Sequence, residues 1–126
     1  MSNKTYITLN LEAYHNNSIE FSLELLDLVT SAPVNLTTAS IWFTAKQDLN
    51  DLDAAAIVQV TKLGGGIVVG GAGFNKLTVR ADNVAAALAN ETLTLECDVK
   101  VQLPDQYAQV VAKGKLKIVK AVTLSP

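Results

Sequence analysis

Four oxygen-bearing side chains crowd into "FTAKQDLNDLDAAAIVQV" (43–60): Asp48, Asn50, Asp51 and Asp53. Carboxylates and amides at alternate positions are what a hard divalent cation needs from a loop that wraps it, so calcium binding is the first chemistry to weigh. Such a loop also needs an oxygen ligand at position 5, glycine at position 6 and glutamate at position 12. Counted from Asp48, those positions hold Leu52, Asp53 and Gln59; counted from Asp51, positions 5 and 6 hold Ala55 and Ala56. Both frames fail. The stretch reads as a solvated turn in which Asp51 or Asp53 caps a helical turn ahead of "AAA".

The other chemistry-bearing residues are sparse. "GGGIVVGGAG" (64–73) satisfies neither phosphate-binding glycine pattern, and no good helix follows to hold an anion at its N-terminus. It reads as two glycine turns around a very short strand, "IVV" at 67–69. His15 is the only histidine, set in the polar turn "AYHNNS", and no serine lies in a nucleophile-elbow context. Cys97 is the only cysteine, which excludes an internal disulfide and any cysteine-based zinc site. It falls on the apolar face of a strand and reads as an inert core residue. Four N-x-[ST] triplets, at 3, 16, 35 and 90, read as turn and strand-edge chemistry rather than glycan acceptors. With no catalytic set, no cofactor motif and no metal constellation, the expectation is a non-enzyme.

The elements that position these residues follow a period of two. In "ETLTLECDVKVQL" (91–103), Leu93, Leu95, Cys97, Val99 and Val101 share one face, and Thr92, Thr94, Glu96, Asp98, Lys100 and Gln102 share the other. After the turn "PDQY", "AQVVAKGKLKIVKAV" (108–122) resumes the alternation. Val110, Ala112, Gly114, Leu116 and Ile118 face one way, and Val111, Lys113, Lys115 and Lys117 the other. The two segments predict a long antiparallel hairpin whose lysines lie near Glu96 and Asp98, or else protect a sheet edge. "TYITLNL" (5–11), "SIEFSLELLDL" (18–28), "ASIWFTAK" (39–46), "AIVQVTKL" (56–63) and "NKLTVRA" (75–81) repeat the pattern, and Pro33 breaks the chain between two of them. "ADNVAAALANE" (81–91) predicts a short helix capped by Asp82.

Together these predict an all-β, Ig-like antiparallel sandwich with one or two short helical turns, a single domain over residues 1–126. At 49% apolar and 17% charged residues the chain is globular, and a net charge of −2 with scattered basic residues shows no nucleic-acid footprint. No apolar run approaches a membrane span, and the start "MSNKTYITLNL" lacks the apolar core of a secretion signal. With the lone cysteine, this suggests folding in a reducing cytoplasm. Trp42 falls on the strand face opposite Ile41 and Phe43, where an aromatic anchors a protein contact, belongs to a second buried face or packs under a loop. Trp42 and the lysine row Lys113, Lys115 and Lys117 are the candidate interaction residues.

The order of features resembles the small β-sandwich domain of phage and prophage tail or baseplate proteins, akin to the N-terminal domain of baseplate upper proteins. The resemblance rests on "PVNLTTASIWFTAK" (33–46), "DLDAAAIVQVT" (51–61), "GGGIVV" (64–69), "KLTVRADNVAAAL" (76–88) and "AKGKLKIV" (112–119), and covers about residues 20–122. The strand "ETLTLECDVKV" lacks the family's aromatic-glycine approach, and no long C-terminal region follows, which suggests a stand-alone adaptor subunit. The resemblance implies a non-enzymatic virion structural or assembly protein of a tail or baseplate, made in the host bacterial cytoplasm. It would use no cofactor, nucleic acid or membrane, and its partners would be other virion proteins or itself as a homo-oligomer. The alternative is a carbohydrate- or calcium-binding module on the same architecture.

Overall fold

The computed structural model describes residues 7–14, 17–27, 30–46, 58–84 and 92–119. Within them lie eight strands: β1 (Ile7–Tyr14), β2 (Asn17–Glu24), β3 (Ser40–Lys46), β4 (Val58–Thr61), β5 (Ile67–Gly70), β6 (Lys76–Val84), β7 (Thr92–Gln102) and β8 (Gln109–Val119). They form a five-stranded sheet in the order β1-β8-β7-β3-β4 and a three-stranded sheet in the order β2-β6-β5. The pairings of β2, β5 and β6 in one sheet and β3, β7 and β8 in the other are those of an Ig-like sandwich, with β4 widening the larger sheet.

Alternation explains why these segments are strands and why the sheets stack. Every second residue of β3 (Ile41, Phe43, Ala45) and of β7 (Leu95, Cys97, Val99, Val101) is buried. On the smaller sheet Ile19, Leu23, Leu77, Val79 and Ala81 turn inward to meet them. Between the sheets, the rings of Phe21 on β2 and Phe43 on β3 meet edge to face, with centroids 5.2 Å apart and planes at 70°. That geometry sets the positive ring edge against the negative ring face. Burying a phenylalanine side chain contributes about 1.5–3 kcal/mol from transfer alone.

The stretch "PVNLTT" has a local physical account. Pro33 forms a bridge with Leu26, the Asn35 side chain accepts a hydrogen bond from the Thr37 amide at 2.9 Å, and Leu36 is wholly buried between them. The Leu36 amide donates to the Phe74 carbonyl at 2.9 Å. Asn75, only 9% exposed, donates from its side chain to the Leu25 carbonyl at 3.1 Å, while its own carbonyl accepts from the Leu25 amide. A buried amide so satisfied locks the connection after β2 to the start of β6.

Three expectations change. The closing hairpin forms, but β8 is no edge: β1 lies beside it, parallel, with Leu9 opposite Gly114. The lysines of β8 therefore do not guard a sheet border, and the sandwich is not wholly antiparallel. A register shift between Val99 and Lys100 sets Lys100 opposite Val110, so that Val111 rather than Val110 packs against the core. At 81–91, where a helix capped by Asp82 was expected, β6 continues as strand through Val84. Residues 85–91 and the expected helical turn at 51–57 lie outside the described residues.

Gly114 makes the β1 contact possible. A Cβ at this position would stand 1.9 Å from the Leu9 carbonyl oxygen and 2.8 Å from the Leu9 nitrogen, far inside contact distance. Only a residue without a side chain lets β1 lie this close. We expect Gly114→Ala to displace β1 and to cost about 1–3 kcal/mol in urea unfolding, as overpacking does. Hydrogen exchange should quicken selectively over 7–14, and unchanged protection there would refute the account.

Candidate functional site

The outer face of the five-stranded sheet collects the side chains that alternation turns away from the core. Register places them in rows across the strands. Trp42 lies between Thr61 on β4 and Lys100 on β7. The next row runs Gln59, Thr44, Asp98, Lys113 and Thr8 from β4 to β1. After it come Lys46, Glu96, Lys115 and Asn10, then Thr94, Lys117 and Glu12. Rows succeed one another at about 6.6–6.8 Å, the repeat of alternate residues along a strand.

All four residues singled out from sequence lie on this face. Trp42 is on β3 and the three lysines are on β8, two strands away or roughly 10 Å across the sheet. The lysines fall in different rows from Trp42, so they flank it rather than surround it. Lys115 makes an ion pair with Glu96, its direct cross-strand neighbour. Because both side chains are substantially exposed, the pair contributes no more than about 1 kcal/mol. The charges thus pattern the surface more than they hold the fold.

A shallow depression of about 380 Å³ opens beside Trp42, lined also by Thr44, Lys46, Gln59, Glu96, Asp98 and Lys100. Trp42 is partly buried there, and the Gln59 amide reaches the Thr44 hydroxyl at 3.5 Å across the β3–β4 pair. One apolar ring among amides, hydroxyls and charges of both signs suits recognition of a polar surface that also offers an apolar contact. Sequence reasoning put Trp42 and Thr44 on one face of their strand but did not bring Lys46, Gln59 or Lys100 beside them. Strand parity was a usable signal for the β3 and β7 members. The β3–β4 register that brings in Gln59 was not legible, because 11 residues separate those strands.

Elsewhere the chemistry-bearing groups are accounted for or fall outside the described residues. The acidic stretch with Asp48, Asn50, Asp51 and Asp53, and His15, belong to the latter. In the first glycine turn the Gly64 amide donates to the Thr61 hydroxyl, the Gly65 amide to the Lys62 carbonyl and the Gly66 amide to the Thr61 carbonyl. With those donors engaged, the turn presents no cradle for a phosphate. Among the described residues no group of three or more His, Cys, Asp or Glu could hold a metal.

Cys97 is buried on the inner face, where burial, with Asp98 beside it, pushes its thiol from the ordinary 9.0 up to about 12. The folded value lies above the unfolded one, so the unfolded chain gives up this proton first. Stability attached to this group is present below pH 9 and drains away as the pH rises toward about 12. We expect wild type to lose stability faster than Cys97→Ala across that window in urea melts. The native thiol should resist alkylation at pH 8 and react once unfolded; rapid native alkylation would overturn its placement.

No protein-family model matches the sequence, and no curated protein shows significant similarity to it.

Proposed function

We propose that the protein is a non-enzymatic virion assembly subunit, a tail or baseplate component, that works by protein–protein contact through the outer face of its larger sheet. The observation that carries this reading is Trp42, the chain's single tryptophan, partly exposed at a shallow depression in a ruled array of charges. Aromatic anchors dominate contact energies, and a surrounding polar and charged rim fixes register without contributing much affinity. Resemblance of "PVNLTTASIWFTAK" and the following segments to phage tail sandwich domains supplies the setting. A sheet face built directly on the core suits a subunit that must fit a fixed position in an assembly.

The test is incorporation. An epitope-tagged chain should co-purify with particles assembled from the genome that encodes it, and Trp42→Ala should reduce its occupancy roughly tenfold or more, as loss of an anchor worth about 2 kcal/mol would. Absence of the wild-type chain from purified particles would sink the proposal.

The same depression favours one second reading, a carbohydrate-binding module. A Trp ring beside a side-chain amide and two carboxylates can stack on a sugar face and hydrogen-bond its hydroxyls. Under that reading an immobilised glycan panel should give a signal that Trp42→Ala abolishes; a blank panel with the folded wild-type chain removes it.

A further inference from the structure

The edges of the two sheets are not protected alike. β4 and β5 end their sheets with four residues each, too short to template a long ladder. β2 is eight residues long, but a register shift between Asn17 and Ile19 breaks its line, and Glu20 and Glu24 charge it. β1 has none of these devices. It borders the five-stranded sheet through eight residues, "ITLNLEAY", in unbroken parallel register with β8, and no described strand lies on its other side. It contains no lysine and no proline, and its one charge, Glu12, stands on the outer face opposite Lys117 of its own sheet. On the inner side of the same edge Ile7 is 40% exposed and Leu11 is half-buried. The border thus offers apolar surface together with backbone groups that face away from β8.

We infer that the free edge of β1 is a self-association site, where a second copy of the chain adds its own β1 antiparallel across a two-fold axis normal to the sheet. Such a contact uses the same patch on both copies, so the strand must complement itself. Side chains directly opposite in an antiparallel ladder lie on one face, which admits only registers that pair residues of like parity. With Asn10 opposite Asn10 on the axis, Leu9 of one copy meets Leu11 of the other and Ile7 meets Ala13, each twice. On the outer face Thr8 meets Glu12, also twice, so the hydroxyl can donate to the carboxylate and no like charges oppose each other. This register covers both apolar side chains left at the border. Centred on Leu11 it would carry Ile7 past the end of β1, and centred on Glu12 it would set that carboxylate against itself. Backbone hydrogen bonds supply affinity in added-strand recognition, and side-chain pairs supply its specificity. The two five-stranded sheets then join edge to edge with their outer faces turned the same way. The self-contact does not depend on what those faces bind.

Asn10→Cys tests the axis directly. Opposite α-carbons of an antiparallel pair stand about 4.5–5.5 Å apart, within disulfide reach, so diamide should link this variant into a covalent dimer. Thr8→Cys, about 13 Å from its counterpart, should not link, and Cys97 is buried. In sedimentation velocity the wild-type chain should pass from monomer to dimer between micromolar and millimolar concentration. Thr8→Glu should raise the dissociation constant roughly tenfold by setting two pairs of carboxylates face to face, and adding Glu12→Lys should restore it. The side chains changed at 8, 10 and 12 are all exposed. If a variant fails to fold, hydrogen exchange on the wild type still decides, since amides within 7–14 should slow as the dimer forms. A wild-type chain that stays monomeric over that range overturns the inference. So does a dimer whose formation leaves exchange over 7–14 unchanged, or one that Thr8→Cys links as readily as Asn10→Cys.

Discussion

Edge-to-face contact between Phe21 and Phe43 is the constraint on which the sandwich turns. No disulfide joins the two sheets, since the chain's one cysteine cannot form an internal one. What joins them is apolar side chains from both inner faces, and this ring pair is the aromatic contact spanning β2 and β3. Those strands are consecutive in the chain, so the contact also fixes how the connection between them must fold. Leu36 fills the interior beneath that connection, and Asn75 ties its beginning to the start of β6. Fixing β2 against β3 in turn fixes the plane of β7 and β8, which hang from β3 by register.

The outer face inherits its order from that inner arrangement. Alternation allows no freedom: once Ile41, Phe43 and Ala45 are buried, Trp42, Thr44 and Lys46 must point the other way. The same holds for Glu96, Asp98 and Lys100 opposite Leu95, Cys97, Val99 and Val101. Cross-strand register then converts sequence spacing into a two-dimensional array, in which Lys115 meets Glu96. A surface of this kind needs no separate loop scaffold. Its rigidity is that of the core, and a substitution at Phe43 would be felt at Trp42 through the backbone they share.

Strand content, the closing hairpin and the inner and outer faces were legible because a period of two maps directly onto the two sides of a pleated sheet. Trp42 and the lysines at 113, 115 and 117 could be placed on outward faces for the same reason. Pairing order was not legible. Nothing in "ITLNLEAY" tells that it runs parallel to β8 rather than forming a hairpin with β2, since both options bury Leu9 and Ala13. The single informative letter was Gly114, which interrupts an otherwise branched and lysine-rich strand, and its meaning appears only when the neighbouring backbone is seen. The segment from Ala81 misled because alanine after Asp82 satisfies local helix rules, whereas pairing of Ile19 with Ala81 and Asn17 with Val84 draws the chain on as strand. The swapped roles of Val110 and Val111 had a similar origin, as a bulge shifts parity without leaving a mark in the sequence.

The parallel pairing of β1 with β8 also imposes an order in time. During synthesis β1 leaves the ribosome first of the eight strands, yet its ladder partner leaves last, about a hundred residues later. Until β8 arrives, β1 has no sheet to join, and its row of backbone donors and acceptors stays in water. The larger sheet therefore cannot be completed strand by strand as it is made. β1 can take its place only once β8 has been made, and Gly114 is the point at which that closure must be unobstructed.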